Sequence, residues 1–212
     1  MRFFVTGTDT DVGKTRVAAA VARALVELGN QPTIVKLVQT GLPKDAPGDA
    51  ATAASFSGCE RRELARFPLA SDPWSAALAA GAEPLEAHAL CAQLDEFVEP
   101  LVIEGSGGVA VPLNERETLA SVAARARCEA IVAVGLRLGC INHALLTLAY
   151  LDTHAVTVRG AVLVERWRPT DEAYRNEVRR ALDAHVSLLG VVPYDVDASR
   201  SVASATSLFR TL

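Results

Sequence analysis

A lysine and a threonine end a glycine-containing loop near the start of the chain. The loop reads GTDTDVGKT over residues 7–15, between an apolar segment at 2–6 and apolar residues that recur at helical spacing from position 17 onward. Free backbone N–H groups and the positive end of the following helix dipole favour an anion at such a loop. Lys14 would reach terminal phosphates, and Thr15 would offer its hydroxyl to a magnesium ion. The loop therefore predicts nucleotide phosphate chemistry.

The spacing of this loop departs from the usual phosphate-loop pattern. The standard first glycine would fall at position 8, which is Thr8, whereas Gly7 lies one residue earlier. The alternative interpretation is a glycine-containing turn that only joins a strand to a helix. The Gly-Lys-Thr ending, with a strand before it and a helix after it, favours the phosphate loop.

A carboxylate ends a second apolar segment, in the sequence LVIEG at 101–105. The carboxyl edge of an open α/β sheet is where ligands bind, so Glu104 is predicted to hold magnesium directly or through water. The alternative is a solvated acid at the end of a strand. The glycine-rich residues at 105–108 favour the binding role, because they let the backbone approach a ligand closely.

A lysine lies within a third apolar segment, TIVKLVQTG at 33–41. We predict that the charge of Lys36 acts on a transferring phosphoryl group bound by the first loop. The alternative is a lysine that protrudes from a strand end. Asp49 is a weaker candidate, because as an isolated residue it is better explained as a helix N-cap.

The elements that must position these side chains alternate along the chain. Continuous apolar runs predict strands covered on both faces, at 2–6, 33–38, 100–104, 130–135, 160–164 and 188–192. Helical patterns lie between them, at about 85–97, 118–127, 142–153 and 172–184. This order predicts a P-loop NTPase-like α/β fold, in which residues 1–212 form a single-domain, doubly wound, mostly parallel sheet flanked by helices. The proline-rich segment 67–84 is predicted to be an irregular loop beside the site.

Charge and composition limit the kinds of partner that we expect. The net charge of −4 and the isoelectric point near 5.6 give no basic footprint, so we expect no nucleic-acid partner. No apolar run reaches the length of a membrane span, and the early glycine loop leaves no room for a signal peptide. We therefore expect no membrane partner and a cytoplasmic location. The four cysteines show no CxxC spacing and are predicted to be reduced and mostly packed.

Five motifs in order make the sequence resemble the dethiobiotin synthetases of biotin biosynthesis. They are GTDTDVGKT at 7–15, KLVQTG at 36–41, the acid Asp49, EGSGG at 104–108 and LGCINHALLT at 138–147. The last motif is the most specific, because general nucleotide-binding logic does not require LGCINH after a strand. The resemblance covers nearly the whole chain.

The resemblance implies a ligase that closes a cyclic urea from 7,8-diaminononanoate (7,8-diaminopelargonate) and CO2 or bicarbonate, with ATP as co-substrate and Mg2+ as cofactor. The diamine first forms a carbamate, whose oxygen attacks the γ-phosphate to give a carbamic-phosphoric anhydride. The second amine then closes the ring, and dethiobiotin, ADP and phosphate are released. Phosphoryl transfer needs positioning and charge neutralisation more than covalent help, which suits two lysines and a magnesium ion.

The resemblance also implies a role for each matching residue. Lys36 and Lys14 are the implied catalytic residues, and Thr15, Asp49 and Glu104 are the implied magnesium ligands. Thr40 stands where the family has a substrate-contacting hydroxyl residue. The implied nucleotide-binding residues are Asp11, Val12, Gly13, Lys14, Thr15, Arg16, Asp49, Glu104, Gly105, Ser106, Gly107, Val164, Glu165, Pro193, Tyr194 and Asp195.

The LGCINH motif has its own physical interpretation. Asn142 is predicted to cap the following helix, and the N–H groups of Gly139, Cys140, Ile141 and Asn142 would form an anion site. The resemblance implies that this anion is the substrate carboxylate, received from the neighbouring subunit of a homodimer. The alternative is an ordinary N-cap. His143 is predicted to be packed or interfacial rather than catalytic.

The chain departs from the family pattern in two places. Val164-Glu165 replaces the Asn-Asp that relatives often use to read adenine, and a valine cannot make the hydrogen bonds of an amide. The preference for ATP over other nucleoside triphosphates is therefore open, although Tyr194 could stack on a base. Arg137 replaces a common lysine and keeps its charge.

Two other functions remain as alternatives. A nucleotide-dependent switch that positions DNA or division proteins would share the sheet and the loop, but such switches carry a signature lysine where this chain has Asp9. Their membrane-binding helix or basic face also has no counterpart in the tail at 199–212. A related ligase acting on another amine would keep the phosphate motifs but would have little reason to keep LGCINH.

Overall fold

The computed structural model describes residues 1–211 and shows one seven-stranded sheet in the order β3-β2-β4-β1-β5-β6-β7. Every neighbouring pair of strands is parallel. The strands are β1 Arg2–Gly7, β2 Thr33–Thr40, β3 Glu60–Phe67, β4 Leu101–Gly108, β5 Glu129–Gly135, β6 Val158–Val164 and β7 Leu188–Val192. The predicted α/β class and parallel sheet are thereby confirmed.

Helices cover both faces of this sheet. They are α1 Lys14–Glu27, α2 Asp49–Ser57, α3 Pro73–Ala79, α4 Ala87–Leu94, α5 Leu119–Arg125, α6 Cys140–Thr153, α7 Glu172–Leu182 and α8 Ala198–Ala205, and a 3₁₀ helix at Thr206–Phe209 follows. Alternate residues of β1 point to opposite layers: Phe3 joins the core under α1, α2 and α8, and Phe4 joins the core under α3 to α7. Within residues 1–211 every helix is too short or too polar to span a bilayer.

Four elements of the fold differ from the sequence-based predictions. The edge strand β3 was not expected, because ERRELARF is mostly charged and lacks an apolar run. Helix α2 was not expected either, because DAATAASFS has few large apolar residues. The segment 67–84 is not an irregular loop throughout, since it contains α3, which Asp72 caps by accepting from Ser75 N. Helix α8 forms within a tail that the sequence did not mark as helical.

Two predicted N-caps were also wrong. Gly139, with φ of 91°, is the N-cap of α6, so Asn142 lies inside the first turn of that helix. Gly48 is the N-cap of α2, and Asp49 is the first helical residue. Both asparagine and aspartate are favoured caps in isolation. Here a preceding glycine adopts the boundary conformation and moves each helix start toward the N-terminus.

Candidate active site

The loop between β1 and α1 folds tightly, and two of its glycines explain why. A Cβ on Gly7 would lie 2.6 Å from Val12 Cγ2, so the loop closes on itself only without a side chain there. Gly13 has a φ of 100°, and a Cβ on it would lie 2.7 Å from Cγ1 of Val164 at the end of β6. Lys14 folds back over the loop and donates to Asp9 O at 2.9 Å. The loop is a preformed cradle at the N-terminus of α1.

Lys14 is buried, and among residues 1–211 no carboxylate is in direct contact with its ammonium group. Burial, and then the positive charge of Lys36, lower the pKa of Lys14 from 10.5 to about 8. Glu104, Asp49 and Asp9 offset part of that shift. A phosphate chain in the cradle would supply the missing negative charge. The depressed pKa is thus consistent with a lysine prepared for an anion.

Lys36 joins two carboxylates at the centre of the site. Strands β2 and β4 are neighbours in register, with Lys36 opposite Glu104, so their side chains meet. The Lys36 ammonium lies 2.9 Å from Glu104 Oε1 and 2.6 Å from Asp49 Oδ2, and it donates to Gly105 O at 3.0 Å. Lys36 is 2% exposed and Glu104 is fully buried. Burial opposes the charge of Lys36, but Glu104 and Asp49 outweigh it and the pKa of Lys36 is raised.

The three predicted magnesium ligands lie around this lysine. Thr15 Oγ1 donates to Glu104 Oε1 at 3.1 Å. Glu104 Oε1 also accepts from Lys36, and the Lys36 ammonium pairs with Asp49. Asp49 is positioned through its backbone N–H, which donates to Gln39 Oε1 at 2.8 Å. Among residues 1–211, Glu104 Oε2 is buried and has no hydrogen-bond partner. A hydroxyl and two carboxylates, one of which has an unused buried oxygen, fit a hard divalent cation.

These side chains line one cleft of about 500 Å³ at the carboxyl edge of the sheet. Its walls bring together most of the predicted phosphate-side residues: Asp11, Gly13, Lys14, Thr15, Arg16, Lys36, Thr40, Asp49, Glu104, Ser106 and Gly107. Val12 and Gly105 support the walls from behind, Val12 against Gly7 and Gly105 against Phe4. Ser106 donates to Val38 O and so ties β4 to β2 beside the cleft.

The residues predicted to contact the base lie beyond the cleft walls. Val164 is buried against Gly13. Glu165, 4% exposed, accepts from Tyr194 N at 3.1 Å, from Thr170 N at 3.2 Å and from Arg175 Nη1 at 2.7 Å. The structure therefore shows Glu165 holding the segment at 193–195 rather than reaching into the cleft.

Two further contacts hold that segment. Ser201 donates to Pro193 O at 2.7 Å, and Arg200 donates to both carboxylate oxygens of Asp195. The segment is thus fixed at three successive residues.

The LGCINH segment lies on the other side of the phosphate loop. Gly139, exposed Asn142 and the intervening residues begin α6, and Cys140 is buried with Sγ 3.6 Å from Tyr174 Oη. Tyr174 also donates to Arg137 O at 2.7 Å and so anchors the approach to the helix. His143 lines a second cavity of about 460 Å³ between α6 and the residues that flank the phosphate loop. These residues do not share the phosphate cleft.

The contacts of three side chains near the phosphate loop were not predicted from the sequence. Arg166 gives two hydrogen bonds to Asp11 Oδ1, and Trp167 Nε1 donates to Asp11 Oδ2 at 3.4 Å. Arg137 pairs with Asp9 and lies over the Trp167 ring, 5.7 Å from its centroid. More than 120 positions separate each of these side chains from its aspartate, so no local pattern joins them.

The curated proteins most similar in sequence that we compared share one name. A family model described as "AAA domain" matches residues 1–201. The chain is 35% identical over 201 residues to the ATP-dependent dethiobiotin synthetase BioD of Bacillus cereus (strain AH820), covering 91% of this chain and 83% of that protein. It is also 35% identical over 204 residues to the protein of the same name from Nitrosospira multiformis, covering 91% and 88%.

Solved structures share the fold at low identity. A ParA family ATPase from Chlorobium tepidum superposes with a TM-score of 0.58 at 13% identity, covering 99% of this chain and 90% of that one. The Pyrococcus furiosus cell division ATPase MinD gives a TM-score of 0.55 at 19% identity, covering 98% and 89%. At these identities the likeness concerns the fold alone, and it confirms the P-loop NTPase-like architecture.

Proposed function

The chain belongs to the dethiobiotin synthetase family, and from this premise we propose that it is an ATP-dependent ligase that converts 7,8-diaminononanoate and CO2 to dethiobiotin in biotin biosynthesis. The observation that carries the proposal is Lys36, which is buried between Glu104 and Asp49 in the same cleft as Lys14. Family membership supplies the substrate, and the cleft supplies the cations that phosphoryl transfer needs.

The proposed reaction runs in three balanced steps. One amine of the substrate adds to CO2 and loses a proton, giving a carbamate. A carbamate oxygen attacks the γ-phosphorus as the bond to the bridging β-oxygen breaks, and ADP leaves. The second amine attacks the carbonyl carbon of the mixed anhydride and loses a proton, and phosphate leaves as the C–O bond breaks and the urea ring closes. Each of the last two steps moves negative charge onto phosphate oxygens.

The buried lysines stabilise that charge. Lys14 sits in the loop that would cradle the β- and γ-phosphates, and Lys36 lies where the carbamate and γ-phosphate would meet. Thr40, at the end of β2, lines both the phosphate cleft and an adjoining cavity of about 450 Å³ that extends toward Asp72. We assign the diamine to that adjoining cavity, with the Thr40 hydroxyl as a hydrogen-bonding group.

Magnesium fits the carboxylate side of the cleft. Thr15, Asp49 and Glu104 would hold it, and the free Glu104 Oε2 supports this assignment. A bound Mg2+ would neutralise phosphate charge and orient the triphosphate. The chain's own contribution is to hold those oxygens in place through Lys36 and through Gln39, which fixes the start of α2.

We further propose that residues 139–142 receive the substrate carboxylate from the partner subunit of a homodimer. Support comes from the start of α6, where Gly139, Asn142 and the neighbouring Leu138 are exposed, although the N–H of Cys140 donates to Arg137 O at 3.0 Å. Asn142→Ala should raise the KM for the diamine acid about tenfold and leave the nucleotide Kd unchanged. Calorimetry that shows the opposite pattern would exclude the shared site.

Phosphate release tests the activity directly. Purified protein is given MgATP with or without 7,8-diaminononanoate, in buffer that contains bicarbonate or is stripped of it. We expect release only when both are present, with the cyclic urea detected by mass spectrometry. Release that needs neither compound would instead indicate a nucleotide switch, and release with another amine would indicate a different ligase.

A further inference from the structure

Arg166 lies over the phosphate loop although no motif marks it. It follows Val164 and Glu165 at the end of β6, and its Cδ lies 3.7 Å from where a Cβ on Gly13 would be. Its side chain lines the same cleft as Lys14 and Lys36. The guanidinium is therefore within the cleft that the phosphates of a nucleotide would enter.

Asp11 holds Arg166 in this position. Arg166 Nη2 and Nε donate to Asp11 Oδ1 at 2.8 and 3.1 Å, and both side chains are partly exposed. Asp11 belongs to the phosphate loop and lines the cleft itself. A carboxylate there repels an incoming polyanion unless a cation covers it. The ion pair thus neutralises the charge of Asp11. It also engages the guanidinium of Arg166, a cation that suits phosphate.

Arg16 adds a second guanidinium to the same wall. Its Nη1 is buried and has no hydrogen-bond partner among residues 1–211. Burial, and then the charge of Arg166, lower the pKa of Arg16. An anion between the two guanidinium groups would reduce their mutual repulsion. It would also accept a hydrogen bond from the unused buried donor of Arg16.

We propose that Arg166 is a phosphate-binding residue that leaves Asp11 and binds the triphosphate when nucleotide enters the cleft. This inference rests on the proposed nucleotide binding and adds a residue to it. The exchange replaces one exposed ion pair with charge-assisted hydrogen bonds to phosphate, which are bidentate where geometry allows. Trp167, which donates to the same aspartate, reports the change.

The two ends of this ion pair make opposite predictions. Arg166→Gln should weaken MgATP binding about tenfold, because it removes charge-assisted bonds to the ligand. Asp11→Asn should tighten MgATP binding several-fold, because it removes the competitor and the repulsive charge. Asparagine keeps the backbone of this position, whose φ is 55°, since it tolerates the left-handed region as aspartate does. Arg168→Gln, at an exposed position in the same segment, is the matched control and should change nothing.

Calorimetric titration of the full chain gives these constants, with MgATP, tripolyphosphate and adenosine as ligands. We expect the Arg166→Gln loss with the two phosphate ligands and not with adenosine. In a Trp74→Phe background, MgATP should change the emission of Trp167, and adenosine should not. Thermal melts confirm that each variant folds.

Two outcomes overturn the inference while leaving the proposed function intact. If the wild type binds MgATP and both Arg166→Gln and Asp11→Asn weaken it equally, the pair is a static clamp on the loop. If neither variant shifts the affinity, Arg166 does not contact phosphate. A wild type that binds no nucleotide would instead refute the proposed function itself.

Discussion

The phosphate end of the site, around Lys36, and the end near β6 and β7, which extends beyond the cleft walls, use charge in different ways. At the phosphate end, Lys14, Lys36 and Glu104 are all buried, and the contacts of Lys36 with carboxylates are 2.6 to 2.9 Å long. At the end near β6 and β7, the pairs Asp11–Arg166 and Asp195–Arg200 are partly or largely open to solvent. Solvent screens exposed pairs, whereas buried charges keep most of their mutual energy. The phosphate end is therefore built for fixed electrostatics and the other end for exchangeable contacts.

This difference follows from the elements that carry the charges. Lys36 and Glu104 lie on the neighbouring interior strands β2 and β4, opposite each other in register, and both side chains are buried. The exposed pairs near β6 and β7 instead join side chains of loops and of helix α8, Asp11 to Arg166 and Asp195 to Arg200. Phosphoryl transfer needs preorganised charges, and the phosphate end, with its buried lysines, provides them.

Removing Lys36 gives the largest expected effect. Lys36→Ala should lower turnover about 10²- to 10³-fold, because it removes a preorganised cation at the transferring phosphoryl group. It should also lower the free energy of unfolding by about 3–5 kcal/mol, because Glu104 is left as an uncompensated buried charge. Steady-state kinetics and denaturant titration measure the two effects.

A paired substitution separates these two effects. Lys36→Met together with Glu104→Gln removes both charges, so most of the lost stability should return while turnover stays low. If Lys36→Ala keeps near-normal turnover, the assigned role is wrong. If the paired variant is as unstable as Lys36→Ala, the buried ion pair does not account for the stability loss.

Lys14 gives a smaller effect that depends on pH. Its pKa of about 8 in the folded protein lies below the 10.5 of an ordinary lysine, so between these values the unfolded chain binds a proton that the folded chain lacks. This group alone therefore makes stability rise with pH across that window. Bound phosphate would restore the proton, so nucleotide affinity should fall about tenfold from pH 7 to pH 9.

Titration in two buffers of different ionisation enthalpy at pH 9 should show uptake of close to one proton on nucleotide binding. The Lys14→Arg variant keeps a permanent charge and serves as the control, and its affinity should be flat over this range. Lys36, Glu104, Asp49 and Asp9 are the other charges around Lys14. A wild-type affinity as flat as that of the control would show that Lys14 is already charged at pH 9 without nucleotide.

The sequence predicts the phosphate end far better than the other end. The alternation of apolar runs and helical patterns is enough to predict the parallel sheet. Because the carboxyl ends of parallel strands meet at one edge, Lys36 and Glu104 were both recognised as candidate site residues. The strand β3 was not predicted, because it lies at the edge of the sheet and most of its residues are charged, so it lacks the apolar run of a covered strand. The contact of Arg166 with Asp11 spans 155 positions and involves loop residues, whose approach depends on the finished fold.

Base selectivity is the smallest expected effect and the one that tests the exchangeable end. Val164 is buried against Gly13 and offers no hydrogen bond, and Glu165 is occupied by three protein donors, so neither side chain is free to read adenine. CTP and GTP should therefore support turnover within about tenfold of ATP, since one neutral hydrogen bond contributes only about 0.5–1.5 kcal/mol. Turnover rates with the three nucleotides at equal magnesium measure this. Strict dependence on ATP would show that backbone groups at 193–195 read the base, and the end near β6 and β7 would then be as fixed as the phosphate end.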